Sequence, residues 1–303
     1  MRKIIAFIVT GLLVSHLSDA QQINTVSQYY NDLYLINPAY AGVTKYLPVT
    51  ATYKKFWSGL NGSPSLQTLS GHMAFTDNMG AGGKIFNYSA GPISKTGIEG
   101  TYAYNLDLNG NGMKLAFGLS AQLYQFYLNK SALTMENPND YAILYSTQKM
   151  IVPDFNFGTF FYDSEHHYYA GISIMQLMGR KVSLLNKEYL DNNQIRNYYF
   201  NAGYIYEIND NLTLEPSILT KFIETGLYQV DINVNATIKQ LVNVGISYRT
   251  DNAVVAMFGI RTDSFTFGYA YDYTLSAIKN YTVGSHEIMF IYRIGSKESF
   301  TKF

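Results

Sequence analysis

Strict alternation of apolar and polar residues is the feature that most limits what this chain can fold into. In residues 265–273 every second position is Phe or Tyr, and the positions between them are Thr, Gly, Ala and Asp. Residues 230–239 and 242–249 separate in the same way. A period of two places successive side chains on opposite faces of a strand. No stretch after Gln21 reaches the roughly 18 consecutive apolar residues that indicate a membrane-spanning helix. We therefore predict an all-β protein.

The connections between these segments favour a membrane barrel over a soluble β-sandwich, whose strands would also alternate. Outer-membrane barrels have short turns at one end and longer loops at the other. Every second connection here is tight, whereas 128–153, 176–194 and 274–284 are long. Thr250–Asn252 is a short exception among the long connections. The pattern predicts a transmembrane antiparallel up-and-down β-barrel of about 14 strands, with its long loops outside the cell and both chain ends in the periplasm. The predicted strands are 48–55, 66–75, 80–88, 96–106, 113–127, 154–162, 167–175, 195–207, 212–223, 229–239, 242–249, 253–261, 264–273 and 285–294.

Composition excludes several other classes of protein. The chain has 22 basic and 22 acidic residues, and charged residues make up 15% of it, where about 25% is usual. Without a net field or a block of one charge, no nucleic-acid partner is expected. The chain has no cysteine, which removes disulfides and thiolate metal sites. We expect neither a cofactor nor a bound metal.

The N-terminus has the pattern of a signal for export. Arg2 and Lys3 precede the short apolar run Ile4–Val14, and Ser18–Ala20 ends in a small residue of the kind found at cleavage sites. The expected location is the cell outer membrane. We divide the chain into a signal peptide (1–20), a periplasmic or lumen-docked N-terminal segment (21–47) and an outer-membrane β-barrel (48–303).

The two faces of the predicted strands carry different residues. The apolar faces are expected to contact lipid, as at Ile232, Val244, Phe267 and Tyr269, with aromatic residues near strand ends at Tyr198, Tyr204, Tyr206, Tyr271 and Tyr273. Asn233 and Thr266 belong to the opposite, lumenal face. Charges of both signs share that face, so the lumen could be filled by paired side chains or open: Glu99, Lys114, Glu207, Glu215, Lys221, Asp231, Asp272, Glu287 and Arg293.

The segment before the first strand has the most distinctive local sequence. It reads Asn-Pro-Ala-Tyr-Ala-Gly at Asn37–Gly42, and Trp57–Pro64 follows the first strand. Asn-Pro and Ala-Gly are turn chemistry, so 21–47 should be compact and should either dock beneath the barrel or enter the lumen. We predict that these two elements bind a partner through the residues Asn37, Pro38, Tyr40, Gly42, Trp57 and Gly59.

These residues also resemble a known family over nearly all of the mature chain. Asn37–Gly42, the Trp57–Pro64 loop, the pair Ser70 and His72, and the closing Gly284–Met289 are similar to elements of the PorP/SprF family of Bacteroidetes outer-membrane proteins. Two positions depart from that pattern, with Lys54 where arginine is common and Phe56 where glutamine is common. Lysine offers a point charge in place of a bidentate contact.

The resemblance implies a component of type IX secretion, or of adhesin display in gliding motility, that acts by protein–protein contacts. The implied partners are periplasmic lipoprotein or ring components of the secretion system, or a secreted surface adhesin, together with outer-membrane lipid. The alternative is an outer-membrane transporter or channel for small or apolar solutes.

Candidate catalytic and metal-binding motifs are weak, so we do not expect an enzyme. Asp107–Gly112 matches the first half of a calcium loop, but Gly118 occupies the place of its essential glutamate. His166 and His167 are adjacent, so in an extended segment they point to opposite faces. Ser70 and His72 share one strand face about 6.6 Å apart, which is long for a nucleophile and its base.

Overall fold

The computed structural model describes residues 26–108, 112–133, 149–163, 165, 167–179, 194–250 and 253–295. The predicted signal peptide, the centres of two long loops, part of the candidate calcium loop and His166 therefore lie outside the described residues. Among the residues described, no helix is long and apolar enough to span a membrane. The strands are β1 (Leu47–Lys55), β2 (Ser65–Thr76), β3 (Met79–Ala90), β4 (Ile93–Asp107), β5 (Met113–Leu128), β6 (Lys149–Asp163), β7 (Tyr168–Met175), β8 (Asn197–Tyr204), β9 (Tyr206–Asn209), β10 (Leu212–Ile223), β11 (Tyr228–Ile238), β12 (Val242–Arg249), β13 (Ala253–Arg261), β14 (Phe265–Thr274) and β15 (Ser285–Ile294).

The strands form one closed antiparallel barrel. Consecutive strands pair around the wall, and β1 closes it by pairing with β15 from Leu47 opposite Ile294 to Lys55 opposite His286. Because β8 and β9 follow each other and both pair with β10, they are halves of one wall strand, and the barrel has 14 strands. The predicted fold class is confirmed. We call the end where β1 begins and β15 ends the terminal end, and the opposite end the loop end.

Most strands lie within three residues of their predicted bounds, and two differ more. The predicted strand 195–207 is interrupted at Ile205, next to a register shift in β10 between Leu212 and Thr213. β6 begins at Lys149, before the predicted start at 154, because Pro153 continues the wall opposite Leu123. A proline is tolerated there because β7 pairs only with Phe157–Tyr162, so at Pro153 no ladder hydrogen bond toward β7 is lost.

The wall separates apolar and polar residues as the alternation predicts. Ile232 and Phe267 expose 54% and 41% of their surface on the outside, whereas Asn233 and Thr266 expose 1% and 3%. Of the nine charged residues predicted to line the lumen, Lys114 and Glu215 are half-buried and six are buried: Glu99, Lys221, Asp231, Asp272, Glu287 and Arg293. Glu207 is wrongly assigned, because it is exposed at the terminal end, where β9 extends beyond the lumen.

Arginine on the outer face is expected to destabilise the barrel according to its depth in the bilayer. Ile232→Arg, in the middle of β11, should cost roughly 2–4 kcal/mol of unfolding free energy, and Tyr228→Arg, at the strand end, about 0–1 kcal/mol. Urea unfolding in lipid vesicles measures both. Equal costs would contradict the outward assignment. The sequence alone predicts a lower cost for arginine at the lumenal positions Asn233 and Thr266. In the structure both side chains are buried, so arginine there is also expected to be costly.

Candidate functional site

The chain before β1 folds inside the barrel and fills its lumen. Three short 3-10 helices, Tyr29–Asn31, Leu33–Leu35 and Pro38–Tyr40, follow one another there. We call residues 26–46 the plug. Its buried apolar residues pack against the inner wall: Val26, Tyr29, Tyr30, Leu33, Tyr34, Ile36, Ala39, Tyr40, Ala41 and Val43.

Local sequence explains the compact form of the plug. The Asp32 side chain accepts a hydrogen bond from the Tyr34 backbone N–H at 3.1 Å and begins the second helix. Asn37 caps the third helix in the same way by accepting from the Ala39 N–H at 2.9 Å, and Pro38 occupies the first helical position. Gly42 has φ 77°, which lets the chain turn toward β1.

Buried charges hold the beginning of the plug near the loop end. Glu287 accepts hydrogen bonds from the backbone N–H groups of Ser27 and Gln28 at 2.6 and 2.9 Å. The Ser27 hydroxyl donates to Asp272 at 3.0 Å, and Arg249 and Lys54 both donate to the Ser27 oxygen. Unpaired buried charges are costly, so the charged side chains of the lumen and the polar groups of the plug stabilise each other through these contacts.

Lys54 and Phe56, the two residues that depart from the family pattern, contact each other. Lys54 Nζ lies 2.9 Å from Asp272 and 3.3 Å from Glu287. The same ammonium lies 5.1 Å from the ring centroid of Phe56, which is buried. A point charge can contact several acceptors and an aromatic face at once, so lysine fits here without bidentate pairing.

His72 binds the end of the plug that leads into β1. The Gly42 N–H donates to His72 Nδ1 at 3.2 Å, so the other ring nitrogen carries the hydrogen, and it lies 3.3 Å from Asp32 Oδ1. Thr50 donates to the other oxygen of Asp32 at 2.6 Å. Both nitrogens of His72 therefore face the plug, and Ser70 Oγ has no hydrogen-bond partner within the described ranges. This geometry gives no support to a nucleophile and base pair.

Glycines on the inner wall make room for the plug. A Cβ atom at Gly118 would lie 2.3 Å from Ala39 N, and one at Gly158 would lie 2.1 Å from Asn37 Oδ1. These distances are shorter than any normal contact, so the wall accepts the Asn37–Ala39 turn only where it lacks side chains. A Cβ atom added at Gly80, Gly82, Gly171 or Gly268 would likewise lie within 2.0–2.7 Å of a plug atom.

Tyrosines form the centre of the plug. Tyr40 packs edge-on against Phe160 and His72, with ring centroids 5.2 and 5.5 Å away. The Tyr34 hydroxyl shares a 2.7 Å hydrogen bond with Thr101.

The six predicted partner-binding residues lie in two places. Asn37, Pro38, Tyr40 and Gly42 are buried in the lumen, and Trp57 and Gly59 lie at the loop end. There the Ser58 N–H donates to the Gly284 carbonyl at 2.7 Å, and the Val283 N–H donates to the Ser58 carbonyl at 2.9 Å. We call Trp57–Leu60 and Tyr281–Gly284 the loop ledge. Partner binding by these six residues stays a prediction.

Tyr40→Ala is expected to loosen the plug and leave the wall closed. Losing the ring removes both aromatic contacts and should cost about 3 kcal/mol of unfolding free energy. The folded, heat-modifiable band on electrophoresis should persist, while recovery of partners falls. Tyr40→Phe, which keeps the ring, is the control. Complete loss of the folded band with Tyr40→Ala would make this segment purely structural and end its assignment as a partner site.

A cavity of about 180 Å³ remains beside the plug toward the loop end. Val26, Leu35 and Ile36 of the plug line one side of it. Lys95 lies on another side, with Nζ 3.9 Å from the ring centroid of Tyr124. This cavity lies between the plug and the inner wall.

A closed barrel with an apolar outer face and aromatic strand ends is the architecture of an outer-membrane β-barrel protein. The sequence matches the model of the family described as type IX secretion system membrane protein PorP/SprF over residues 18–292. The chain belongs to this family, so it is a type IX secretion component located in the outer membrane. Family and fold are those of a non-enzymatic barrel component. No curated protein matches the sequence.

Several solved barrels are similar to the chain at low identity. Acinetobacter baumannii outer membrane protein Omp33 is 8% identical with a TM-score of 0.46, and the match covers 84% of this chain and 100% of that one. The Ralstonia pickettii toluene transporter TbuX is 10% identical with a TM-score of 0.48, covering 86% and 92%. A Pseudomonas aeruginosa FadL homologue is 11% identical with a TM-score of 0.42, covering 82% and 89%.

Proposed function

We propose that this protein serves type IX secretion as a plugged barrel that binds other proteins and does not conduct solutes. The observation that supports this most is the plug, which packs against the inner wall through a continuous apolar core. Its ends are fixed by Glu287 and His72. A conducting pore needs a continuous water-filled path, and a folded segment held at both ends opposes one.

Orientation follows from the connections. Outer-membrane barrels have short periplasmic turns and longer extracellular loops. The turns at the terminal end are short, for example Asp77–Asn78 and Asp210–Asn211. The terminal end is therefore assigned to the periplasm, where it can meet periplasmic lipoprotein or ring components, and the loop end to the cell surface, where it can meet an adhesin.

The loop ledge is the surface that we assign to an extracellular partner. Tyr281 and Val283 expose 73% and 65% of their surface, although both are apolar or aromatic. Hydrogen bonds between Ser58 and Val283 and from Thr282 to the Ser58 carbonyl hold the ledge in place. Trp57 takes a positive φ of 44°, which is unusual for a bulky residue. Exposed apolar groups on a fixed backbone are typical of binding surfaces.

Conductance and co-purification together test the proposal. The purified full chain in planar bilayers should show no sustained open-pore current, and deletion of residues 26–43 should produce one if the barrel still folds. The tagged chain, purified from native membranes, should bring down other type IX components, identified by mass spectrometry. A steady open-pore current from the intact chain would instead favour the transporter or channel alternative.

A second measurement addresses surface display. Val283→Asp at the ledge should reduce the amount of secreted adhesin on the cell surface, whereas Thr282→Ser, which keeps the hydroxyl contact to Ser58, should not. Unchanged display with Val283→Asp would remove the ledge from the proposal and leave the plugged-barrel assignment in place.

A further inference from the structure

At the terminal end, β9 has one edge with which no other described strand pairs. β9 pairs through Tyr206–Asn209 with β10 on one side. On the other side, β7 begins at Tyr168, which lies opposite Tyr204 in β8. β9 therefore extends past the start of β7, and in the part of the chain that the structure describes nothing pairs with its second edge.

The hydrogen bond at Ile205, just before β9, shows which backbone groups of β9 face its unpaired edge. The Ile205 N–H donates to the His167 carbonyl at 2.6 Å, so residue 205 faces the β7 side. The side chains keep their alternation through the break, with Tyr204 and Tyr206 exposed and Ile205 buried. In an antiparallel strand every second residue directs its N–H and C=O to the same side. Glu207 is thus the next residue whose backbone groups face the free edge.

The free edge lies in water. Unpaired backbone groups in hydrocarbon are so costly that open sheet edges do not occur there. Glu207 and Asp210 are both exposed, and neither forms a hydrogen bond or ion pair with another described side chain. The edge is at the terminal end, which we assign to the periplasm. A protein in the periplasm can therefore reach it.

The charges differ on the two sides of the hairpin that β9 and β10 form. On the free side, the β6–β7 turn contributes Asp163 and Glu165, which lie 3.2 and 3.6 Å from His167 Nδ1. Glu207 lies on β9 itself. Lys239 is on the opposite side, where its backbone N–H donates to the Asn211 carbonyl at 2.7 Å. An incoming strand would thus meet carboxylates.

We propose that the free edge of β9 binds an extended segment of a periplasmic protein, rich in Lys or Arg, as an added strand. Main-chain hydrogen bonds to Glu207 hold such a segment, and the surrounding carboxylates select basic side chains. The inference rests on the proposed function, since it requires that the barrel acts by protein contacts. It adds the place, the binding mode and the charge of one partner.

In-cell photo-crosslinking with point variants tests this inference. A photoreactive residue replaces Ile208 in the full-length chain, and mass spectrometry maps the captured segment. We expect a basic segment of a periplasmic protein. Glu207→Pro removes the edge N–H without affecting the ladder to β10, and capture should fall at least about tenfold. Glu207→Gln keeps the N–H and removes the charge, so capture should fall about two- to fivefold.

Two controls accompany these variants. Asp77→Asn removes an exposed charge from another turn at the same end and should leave capture unchanged. Heat-modifiable migration verifies that each variant folds. A crosslink to lipid alone, a captured segment without basic residues, or equal capture by Glu207→Pro and the unmodified chain would overturn the inference. If type IX components still co-purify in those cases, the proposed function stands. If no component is recovered by either method, both fail.

Discussion

Gly118→Ala is expected to displace the plug while the barrel wall stays closed. The added Cβ would lie 2.3 Å from both Ala39 N and the Pro38 carbonyl carbon. These are backbone atoms of a capped turn, so no side-chain rotation relieves the clash. The hydrogen bonds of β5 to β4 and β6 do not depend on the residue type at position 118. The plug must therefore move while the barrel persists.

Cysteine labelling and conductance measure this displacement. Because the chain has no cysteine, a single Ala39→Cys substitution reports the position of the plug, and Ala39 is fully buried. Maleimide labelling should rise in the Gly118→Ala background, and an open-pore current should appear. Gly100→Ala is the matched control, since a Cβ there meets nothing within 4 Å. Unchanged labelling and current in Gly118→Ala would contradict the seating of the plug against β5.

Lys54→Met is expected to destabilise the folded protein by about 3–5 kcal/mol, because it leaves carboxylates buried with less compensating charge. Lys54 is fully buried and is the cation that lies close to both Asp272 and Glu287. Arg249 still pairs with Asp272 at 2.8 Å after the change. Within the described part of the chain, Glu287 then keeps the hydrogen bonds that it accepts from Ser27 and Gln28 of the plug.

Urea unfolding followed by the fluorescence of the single tryptophan measures this loss. Lys55→Met, the adjacent change, is the control: Lys55 is half-buried and donates to the Ser63 carbonyl at 2.6 Å. It should cost only about 0.5–1.5 kcal/mol. Adding Glu287→Gln to Lys54→Met should restore part of the stability. A cost for Lys54→Met no larger than that of Lys55→Met would show that the buried charges do not depend on each other.

Strand positions followed from the sequence because alternation is a local property. The strands at 242–249, 253–261 and 285–294 agree with the prediction at both ends. The predicted strand bounds are wrong where the extent of a neighbouring strand determines whether a residue can join the sheet. Pro153 interrupts the pattern, yet it lies in β6 because β7 does not reach it.

The contents of the lumen could be predicted only in part. Turn chemistry at Asn37–Gly42 indicated a compact segment, and the structure shows the caps that form it. Inward-facing glycines such as Gly118 and Gly158 are a sequence signal of a filled lumen, because they leave room for a segment that packs against the inner wall. Ser27 and Asp32 were not predicted as site residues, since their partners are distant in the sequence: Asp272 is 245 residues from Ser27.

The sequence by itself determined the class of protein, the barrel architecture and, apart from positions such as Glu207, the side of the wall on which the strand residues lie. These depend on a period of two, on connection lengths and on a family pattern, all of which are present along a single chain. Only the tertiary structure decided that 26–46 lies in the lumen and that no other described strand pairs with the second edge of β9. The edge of β9 depends on where β7 begins. The place of the plug depends on groups that closure of the barrel brings together, such as Lys54 with Glu287 and His72 with Asp32. Their mutual desolvation and pairing arise only when the wall is complete, so no local pattern encodes them.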